Sequence, residues 1–368
     1  MRRRLTCPVA CALFVVCLLG LLPSAASARI VARRVVGGLE QAVAFTFDHR
    51  GRIWYVQKAA GDIHVVDPET GRGWRFFDVP NVSSDGEQGL LGIALHPAFP
   101  QEPFVYVFAT RSVEGRLVDQ ILRIRSERGH GHGFRAIYSS RAGSGHIHSG
   151  GRILFGPDGM LYAVVGDASA SSNAQDLSTT RGKILRMTPL GDVPDDNPFG
   201  SRVFAYGIRN SFGFAFDPRT DRMWETENGP ECTDELNRIR AGGNFGWGPS
   251  QSCSGTAPQG TNQDGDDPIL PAYWYTPTIA PTGIAFCERC GLGPRSDGTM
   301  LFAALNTGDL RRVELSDDRL RPIGQGVIFH SPKLLLSLEP GPGGRLYVST
   351  FTAIFRLERA PSVHRWRR

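Results

Sequence analysis

The chain has 368 residues, 41% of them apolar and 21% charged, which is enough for a large hydrophobic core. The formal net charge of +5 falls to +2 without the leader described below, which carries three arginines and no acidic residue. A charge this close to neutral gives no support for binding nucleic acid or an anionic membrane surface. Glycine (44) and proline (25) are abundant, which favours many short strands and turns over long helices.

The first 28 residues have the three parts of a secretory signal peptide. Arginines occupy positions 2–4, an apolar segment covers residues 10–22, and Ala26-Ser27-Ala28 is a small-residue cleavage site. The apolar segment is short for a membrane span, so cleavage is favoured over an uncleaved anchor. The sequence therefore predicts an exported protein, periplasmic or secreted, with no membrane span after cleavage.

Four of the seven cysteines lie beyond the leader, and an even number in an exported protein indicates disulfides. We expect local pairing, Cys232 with Cys253 and Cys287 with Cys290. A zinc site built from the four cysteines is the alternative, but the spacing provides no second C-x-x-C.

One local pattern recurs six times beyond the leader: a strand, a turn rich in Pro, Asp and Gly, and a second strand with an aromatic or β-branched core. The spacing of roughly 45 to 80 residues leaves room for one four-stranded sheet and its insertions. Such a sheet cannot bury both faces alone, so the repeats predict a six-bladed all-β propeller of four-stranded antiparallel sheets, with a β-sandwich as the alternative. The copies cover residues 47–56, 95–107, 155–162, 216–224, 295–302 and 342–348.

The predicted propeller domain spans residues 30–358 and is followed by a polar tail over residues 359–368. Helical periodicity is scarce, and we expect one short helix near residues 233–240. Functional residues are expected in the long loops of the propeller. These loops are residues 81–92, 139–152, 167–198, 209–213, 227–248 and 273–283.

The third repeat carries a histidine- and glycine-rich segment that no other copy has. His146 and His148 precede its first strand, and Asp167 follows its second. A hairpin returns the chain to where it began, so His148 and Asp167 are expected to lie close together. Histidine titrates near neutrality and the neighbouring glycines leave room for a substrate, which makes His148 the best candidate for a general base. A surface histidine and a loop-capping aspartate are the alternatives.

Two further loops carry groups suited to binding ions. Arg209 and Asn210 present a planar guanidinium and an amide to carboxylate or quinone oxygens, with an arginine that bridges two blades as the alternative. Residues 227–237 combine acidic side chains with a Gly-Pro bend. Oxygen-rich loops of this kind suit calcium, and a solvated acidic turn is the alternative.

Seven motifs in order along the chain together resemble the glucose/sorbosone dehydrogenase family. Members of this family are exported aldose dehydrogenases that use pyrroloquinoline quinone (PQQ). The motifs are G-E-Q-G-L-L-G-I-A-L-H-P (86–97), H-S-G-G-R-I-L-F-G-P-D-G-M-L-Y-A-V-V-G-D (148–167), G-K-I-L-R-M (182–187), Y-G-I-R-N-S-F-G-F-A-F-D-P (206–218), E-N-G-P with D-E-L-N (227–237), G-G-N-F-G-W (242–247) and P-T-I-A-P-T-G (277–283).

The resemblance implies a propeller with PQQ over its central axis and a role for each matching residue. His148 matches the base that takes the proton from the anomeric hydroxyl of a sugar, and Asp167 matches the acid beside it. Arg209 and Asn210 match the pair that contacts the quinone, and Glu87 matches a residue beside the cofactor. Hydride would pass from the sugar to the quinone, and the reduced quinone would then give its electrons to an external electron acceptor.

The resemblance also implies two calcium sites. The carbonyls of Gly229 and Pro230 match the ligands of a calcium ion that helps to hold PQQ and polarises its carbonyl. Glu235, with the Phe245 carbonyl, matches the ligands of a second, structural calcium.

The chain departs from the family pattern in its last two blades. Active family members have a basic residue before the fifth-blade turn, where this chain has Asn306 or Thr307. Many members carry R-x-R-D before the last turn, where this chain has Leu334, Leu336 and Ser337. Those arginines would pair with the three carboxylates of PQQ. Candidates to replace the lost charge are Lys333, Arg311 and Arg312.

The favoured hypothesis is an exported PQQ- and calcium-dependent dehydrogenase that oxidises an aldose-type hydroxyl. A non-catalytic propeller of the same family, binding sugar or protein without PQQ, is the first alternative. A calcium-dependent propeller hydrolase of the lactonase type is the second. His148, Asp167 and Arg209 favour the dehydrogenase, whereas Leu334 and Leu336 favour the non-catalytic propeller.

Overall fold

The computed structural model describes residues 29–254 and 260–360. The predicted signal peptide and residues 361–368 of the predicted tail lie outside these residues. In the described chain the strands form six four-stranded antiparallel sheets, which confirms the predicted six-bladed propeller. No helix within residues 29–254 or 260–360 is long and apolar enough to cross a membrane.

Each blade consists of four strands that are consecutive in the chain, except the sixth. Blade one contains β2 (Ala42–Phe47), β3 (Ile53–Gln57), β4 (Asp62–Val66) and β5 (Gly73–Asp78), and blade two contains β6 (Leu90–Leu95), β7 (Phe104–Val113), β8 (Arg116–Glu127) and β9 (His130–Arg141). Blade three contains β10 (Gly150–Phe155), β11 (Leu161–Val165), β12 (Lys183–Met187) and β13 (Val203–Tyr206), and blade four contains β14 (Ser211–Phe216), β15 (Met223–Glu227), β16 (Asp234–Ile239) and β17 (Tyr273–Tyr275). Blade five contains β18 (Pro281–Phe286), β19 (Met300–Ala304), β20 (Asp309–Leu315) and β21 (Pro322–His330), and blade six contains β22 (Leu338–Pro340), β23 (Leu346–Thr350), β24 (Ala353–Arg359) and β1 (Ile30–Gly37).

The ring is closed by the two ends of the domain. Strand β1 completes blade six by pairing antiparallel with β24, from Ile30 opposite Arg359 to Gly37 opposite Ala353. The chain then enters blade one, where the Ala42 amide donates to the Phe351 carbonyl at 3.1 Å. Blade six therefore depends on residues from both ends of the domain, and it cannot form before the chain is nearly complete.

The repeated turn is held together by its aspartate. In blade one, Asp48 Oδ1 accepts the amides of Arg50 at 2.9 Å and Arg52 at 3.0 Å, while Oδ2 accepts the Trp54 indole N–H at 3.0 Å. Asp158 and Asp217 accept amides two residues further along in blades three and four. The recurring Asp is therefore a turn-forming residue, which is why the repeat is visible in the sequence.

Glycines on the inner strands allow neighbouring blades to approach closely near the axis. A Cβ at Gly92 would lie 2.2 Å from the Gly151 carbonyl oxygen, and one at Gly213 would lie 2.3 Å from the Thr282 carbonyl oxygen. No side chain fits at these distances, so glycine is required for the inner strands to pack in this way.

The predicted helix at residues 233–240 is wrong. This segment contains β16, which pairs with β15 on one side and β17 on the other. Its acidic and amide side chains are buried within the blade, so the polar composition concealed a central strand. In the described residues, helical structure is limited to α1 (Ser172–Gln175) and a 3₁₀ turn (Pro342–Gly344).

Both predicted disulfides form. Cys232 bonds to Cys253 and Cys287 bonds to Cys290. All four thiols are used in this way, so the cysteines are not available as thiolate ligands and the zinc alternative is wrong.

Removing the Cys232–Cys253 disulfide is expected to lower the unfolding free energy by about 3 kcal/mol, because it closes a loop across a separation of 21 residues. The measurement is urea denaturation of a Cys232→Ala/Cys253→Ala variant. Cys287→Ala/Cys290→Ala is the matched control and should lose less, because its separation is only 3 residues. An unchanged urea midpoint in the first variant would contradict the prediction.

Candidate functional site

A cavity of about 600 Å³ lies at the centre of the ring and is lined by residues from all six blades. Asp167 lies behind His148 and not in the cavity wall, and Glu235 and Phe245 do not line the cavity. The candidate residues that do line it are Glu87, His148, Arg209, Asn210, Gly229 and Pro230. The fold thus brings most of the candidates, from three different blades, into one wall.

His148, Asp167 and Trp247 form a chain of hydrogen bonds. His148 Nδ1 lies 2.7 Å from Asp167 Oδ1, and the Trp247 indole N–H donates to Asp167 Oδ2 at 2.8 Å. Asp167 is 1% exposed, and its Oδ1 also accepts the Ser169 amide at 2.8 Å. An acceptor carboxylate at Nδ1 places the imidazole proton there and leaves the Nε2 lone pair free. This is the arrangement expected of a general base.

The histidine segment has an unusual backbone conformation. His146 and His148 have φ values of 58° and 59°, in the left-handed region that residues other than glycine rarely adopt. His148 is held there because its amide donates to Glu87 Oε2 at 2.8 Å. A Cβ at Gly166 would lie 2.1 Å from the His148 carbonyl oxygen, so glycine is required beside it. His146 bonds to Gln88 Oε1 at 2.9 Å and does not line the cavity.

The Glu87 carboxylate joins the loops of three blades. Its Oε2 accepts the His148 amide and also the Asn210 side-chain amide at 3.1 Å. The Glu87 amide in turn donates to the His146 carbonyl at 2.8 Å. Glu87 therefore fixes the candidate base relative to the Arg209-Asn210 loop.

Arg209 and Asn210 lie beside the hydrogen-bond chain of His148, Asp167 and Trp247. The Arg209 guanidinium donates to the Asn228 carbonyl at 2.8 Å, and its Cζ lies 5.3 Å from the centre of the Trp247 ring, a cation–π contact. Trp247 therefore contacts both the Asp167 carboxylate and Arg209, a role that the sequence did not reveal. Asn210 Oδ1 is buried without a partner in the described chain. An unpaired acceptor beside a cavity suits a ligand donor or a cation.

The Arg209-Asn210 loop is supported from behind by buried carboxyl groups. Glu227 Oε1 accepts the backbone amides of Arg209, at 2.9 Å, and Asn210. Burial raises the pKa of Glu225 and of Glu235 to about 7, and burial together with the neighbouring Glu225 raises the pKa of Glu227 well above its ordinary value. Burial and the neighbouring carboxyl group therefore favour the protonated over the ionised form of Glu225 and Glu227.

These raised pKa values predict that the metal-free protein loses stability as pH rises. Between about pH 4.5 and 7 the folded state retains protons that the unfolded chain releases, so the unfolding free energy should fall across this range. Glu225→Gln should reduce the loss by on the order of 1–3 kcal/mol. Urea denaturation at several pH values in chelator measures it, and an identical pH dependence in the variant would contradict it.

The loop expected to bind calcium is ordered by Asp234. Asp234 Oδ1 accepts the Gly229 amide at 3.1 Å, and Oδ2 accepts the amides of Ile279 at 2.6 Å and Ala280 at 2.8 Å. The Gly229 and Pro230 segment is thereby held at the cavity wall, with backbone carbonyls of the kind that calcium binds. In the described residues no group of three or more His, Cys, Asp and Glu side chains is arranged as a metal site.

Glu235 lies on β16 of blade four, and Phe245 lies in the loop after β16, where its amide donates to the Tyr206 carbonyl of blade three at 2.8 Å. Glu235 Oε2 accepts the Asn237 side-chain amide at 3.1 Å, and the Phe245 carbonyl accepts the Asn262 side-chain amide. Both residues are buried. Neither residue lines the cavity.

The departures on blades five and six change the cavity wall. Asn306 and Leu336 line it, whereas Leu334 is 45% exposed and does not.

Ser337 accepts a hydrogen bond at 3.0 Å from Arg152 of blade three, whose guanidinium also pairs with Glu339 of blade six. Arg152 and Glu339 are both buried, and since blades three and six lie opposite each other in the ring, this ion pair crosses the axis, with Arg152 in the cavity wall. The sequence did not indicate it.

None of the suggested replacement cations reaches the cavity. Arg311 lies against the Tyr275 ring, Arg312 pairs with Glu314, and Lys333 lines a separate groove. In the described chain, the cationic side chains that line the cavity are those of Lys58, Arg152 and Arg209.

The family model for glucose/sorbosone dehydrogenase matches residues 39–354, which is most of the chain and all six blades. The chain belongs to this family. The result confirms the resemblance deduced from the seven motifs. It does not by itself assign an activity to this member.

Individual relatives show how far the similarity extends. Aldose sugar dehydrogenase YliI of Escherichia coli K12 is 28% identical over 338 residues, covering 84% of this chain and 86% of that protein. Quinoprotein glucose dehydrogenase B of Acinetobacter calcoaceticus is 31% identical over 245 residues, which is 58% of this chain but only 51% of that protein. The PQQ-bound aldose sugar dehydrogenase of Streptomyces coelicolor superposes with a TM-score of 0.78 at 31% identity, covering 90% and 98% of the two chains.

Proposed function

We propose that this glucose/sorbosone dehydrogenase family member is an exported, PQQ- and calcium-dependent dehydrogenase that oxidises an aldose-type hydroxyl. The observation that carries the proposal is the His148–Asp167–Trp247 hydrogen-bond chain at the wall of an axial cavity. Two relatives named as aldose sugar dehydrogenases, one of them PQQ-bound, support the activity. The two disulfides and the leader-like first 28 residues support export.

In this proposal His148 removes the proton of the sugar hydroxyl through Nε2. The Asp167 carboxylate holds Nδ1–H and stabilises the imidazolium that forms, as an orienting acid does in other base dyads. The Trp247 indole and the Ser169 amide hold the carboxylate in turn. The proton is therefore moved by a side chain whose ring orientation is fixed before substrate binds.

Residues of the cavity wall support PQQ and calcium as the ligands of this site. Arg209, Asn210 and Glu87 would surround the quinone: the Arg209 guanidinium can donate to a quinone or carboxylate oxygen, and the unpaired Asn210 Oδ1 can accept from an N–H of the ligand. The carbonyls of Gly229 and Pro230 would hold calcium at the same wall. When bound, PQQ supplies a hydride acceptor, and calcium polarises its carbonyl.

A second calcium at Glu235 and the Phe245 carbonyl remains part of the proposal. Glu225, Glu227 and Glu235 are buried on adjoining strands with no cationic side chain hydrogen-bonded to them in the described chain. A divalent cation near Glu235 would stabilise ionised carboxylates there. Calcium should therefore raise the melting temperature even without PQQ.

A non-catalytic propeller that binds sugar or protein without PQQ is the second candidate. Leu336 and Asn306 favour it, because they line the cavity where the family pattern has basic residues. Each lost charged hydrogen bond would weaken the binding of an anionic cofactor by roughly 1.5–3 kcal/mol.

Titration with PQQ distinguishes the two candidates. The protein without residues 1–28 would be titrated with PQQ in excess calcium by isothermal calorimetry, and dye reduction would then be followed with a panel of sugars. The dehydrogenase proposal predicts saturable PQQ binding and turnover that depends on PQQ, calcium and sugar together. A failure to bind PQQ in excess calcium would refute it and favour the second candidate.

A further inference from the structure

We infer that Lys58 supplies the positive charge that a carboxylate of the bound quinone cofactor requires, in place of the arginines that the family pattern puts on blade six. The inference rests on the proposed function and concerns how its cofactor is held. Three observations carry it: the free donors of Lys58, the fixed position of its side chain, and the neutralisation of the Arg152 charge by Glu339.

Lys58 follows β3 of blade one and lines the cavity. Its ammonium donates one hydrogen bond, to the Ser84 carbonyl at 3.0 Å. An ammonium has three N–H donors, and within the described chain the other two have no partner. Asp85 and Glu87 lie near enough to act on its charge, but neither forms an ion pair with it. The donors are therefore available to an anion in the cavity.

Lys58 is held between blades one and two by its backbone and by the space around its side chain. Its carbonyl accepts the Leu90 amide at 3.0 Å, and its own amide donates to the Gln41 carbonyl at 3.1 Å. Gly89, at φ 146°, leaves the space that the stem fills, since a Cβ there would lie 2.5 Å from Lys58 Cγ. A glycine that makes room for a lysine at a cavity wall indicates a positioned charge and not a mobile surface lysine.

The remaining cations of the cavity cannot take this role as readily. The Arg152 guanidinium is engaged by Ser337 and by the Glu339 carboxylate, which cancels its charge. The Arg209 guanidinium already donates to the Asn228 carbonyl in the blade-four part of the wall. Blade one is next to blade six in the ring, and Lys58 lines the same cavity as Leu336, which replaces an arginine of the family pattern. A ligand carboxylate can thus be countered from the adjacent blade.

The sequence contains only three lysines, which makes matched variants simple. Lys58→Met removes the charge, Lys58→Arg keeps it, and Lys333→Met removes a lysine from a separate groove. Affinity for PQQ in excess calcium would be measured by calorimetry on the protein without residues 1–28. PQQ trimethyl ester, which has no free carboxylate, serves as the second probe. Circular dichroism confirms that each variant is folded.

Lys58→Met is expected to weaken PQQ binding about 10- to 100-fold, while Lys58→Arg and Lys333→Met stay close to wild type. The trimethyl ester should bind Lys58→Met and wild type equally, because its ester groups carry no charge for Lys58 to pair with. The inference is wrong if wild type binds PQQ and Lys58→Met binds it as tightly, or if Lys58→Met and Lys333→Met weaken it equally. A wild-type protein that does not bind PQQ refutes the proposed function itself.

Discussion

Replacing His148 by alanine is expected to lower kcat by about 10²- to 10⁴-fold and to leave the affinity for PQQ nearly unchanged. The reason is that the imidazole is the group in the cavity wall whose free ring nitrogen can accept a proton, with Asp167 bonded to its other nitrogen at 2.7 Å. Dye reduction measures kcat, and calorimetric titration measures the PQQ affinity of the same preparation. This split between turnover and binding separates a base from a residue that only shapes the cavity.

His146→Ala is the matched control for this experiment. His146 has the same unusual backbone conformation and lies two residues away, but it bonds to Gln88 and does not line the cavity. Its substitution should therefore leave kcat within a few-fold of wild type. Retained turnover in His148→Ala, or an equal loss in both variants, would contradict the assignment of His148 as the base.

The second large effect concerns the ion pair across the axis. Arg152→Met is expected to lower the unfolding free energy by about 3–5 kcal/mol at neutral pH, because it leaves the buried Glu339 carboxylate without its partner. Burial already raises the pKa of Glu339 while Arg152 opposes that change, so without Arg152 the carboxyl should take up a proton more readily. The loss should therefore shrink as pH falls.

Urea denaturation of Arg152→Met, Glu339→Leu and the double variant tests this prediction. The double variant removes both buried charges and should recover most of the stability that Arg152→Met loses. Equal losses that add in the double variant would show that the two side chains are not coupled. Full stability in Arg152→Met would show that the pair contributes nothing to the ring.

The fold was predictable because its information is local and repeated. Asp48, Asp158 and Asp217 each bond the turn that follows them, so the hairpins leave a visible pattern at intervals along the chain. Strand β16 was missed for the opposite reason. Its polar residues are buried by pairing with β15 and β17, which lie elsewhere in the sequence, and no local pattern indicates that burial.

The site was predictable only where one segment contains both partners. The hairpin that begins after His148 and ends before Asp167 brought these two together, and the structure places them in contact. The other contacts join residues that are far apart in the sequence, and only the closed ring reveals them. Trp247 bonds to Asp167, Arg152 pairs with Glu339, and Lys58 lines the cavity with residues of the other blades. The suggestion that Arg311, Arg312 or Lys333 replaces the lost charge was wrong for the same reason. These residues are near blade six in the sequence, but the ring does not bring them to the cavity.

The most direct test of the central claim is a single-turnover experiment without an electron acceptor. The protein without residues 1–28, loaded with PQQ and calcium, would be mixed anaerobically with an aldose while the absorbance of the bound quinone is followed. The proposed function predicts that at least one sugar reduces the quinone fully in wild type and that His148→Ala slows this step by about 10²-fold or more. Quinone that binds but stays oxidised with every sugar would contradict the claim that this propeller is a sugar dehydrogenase.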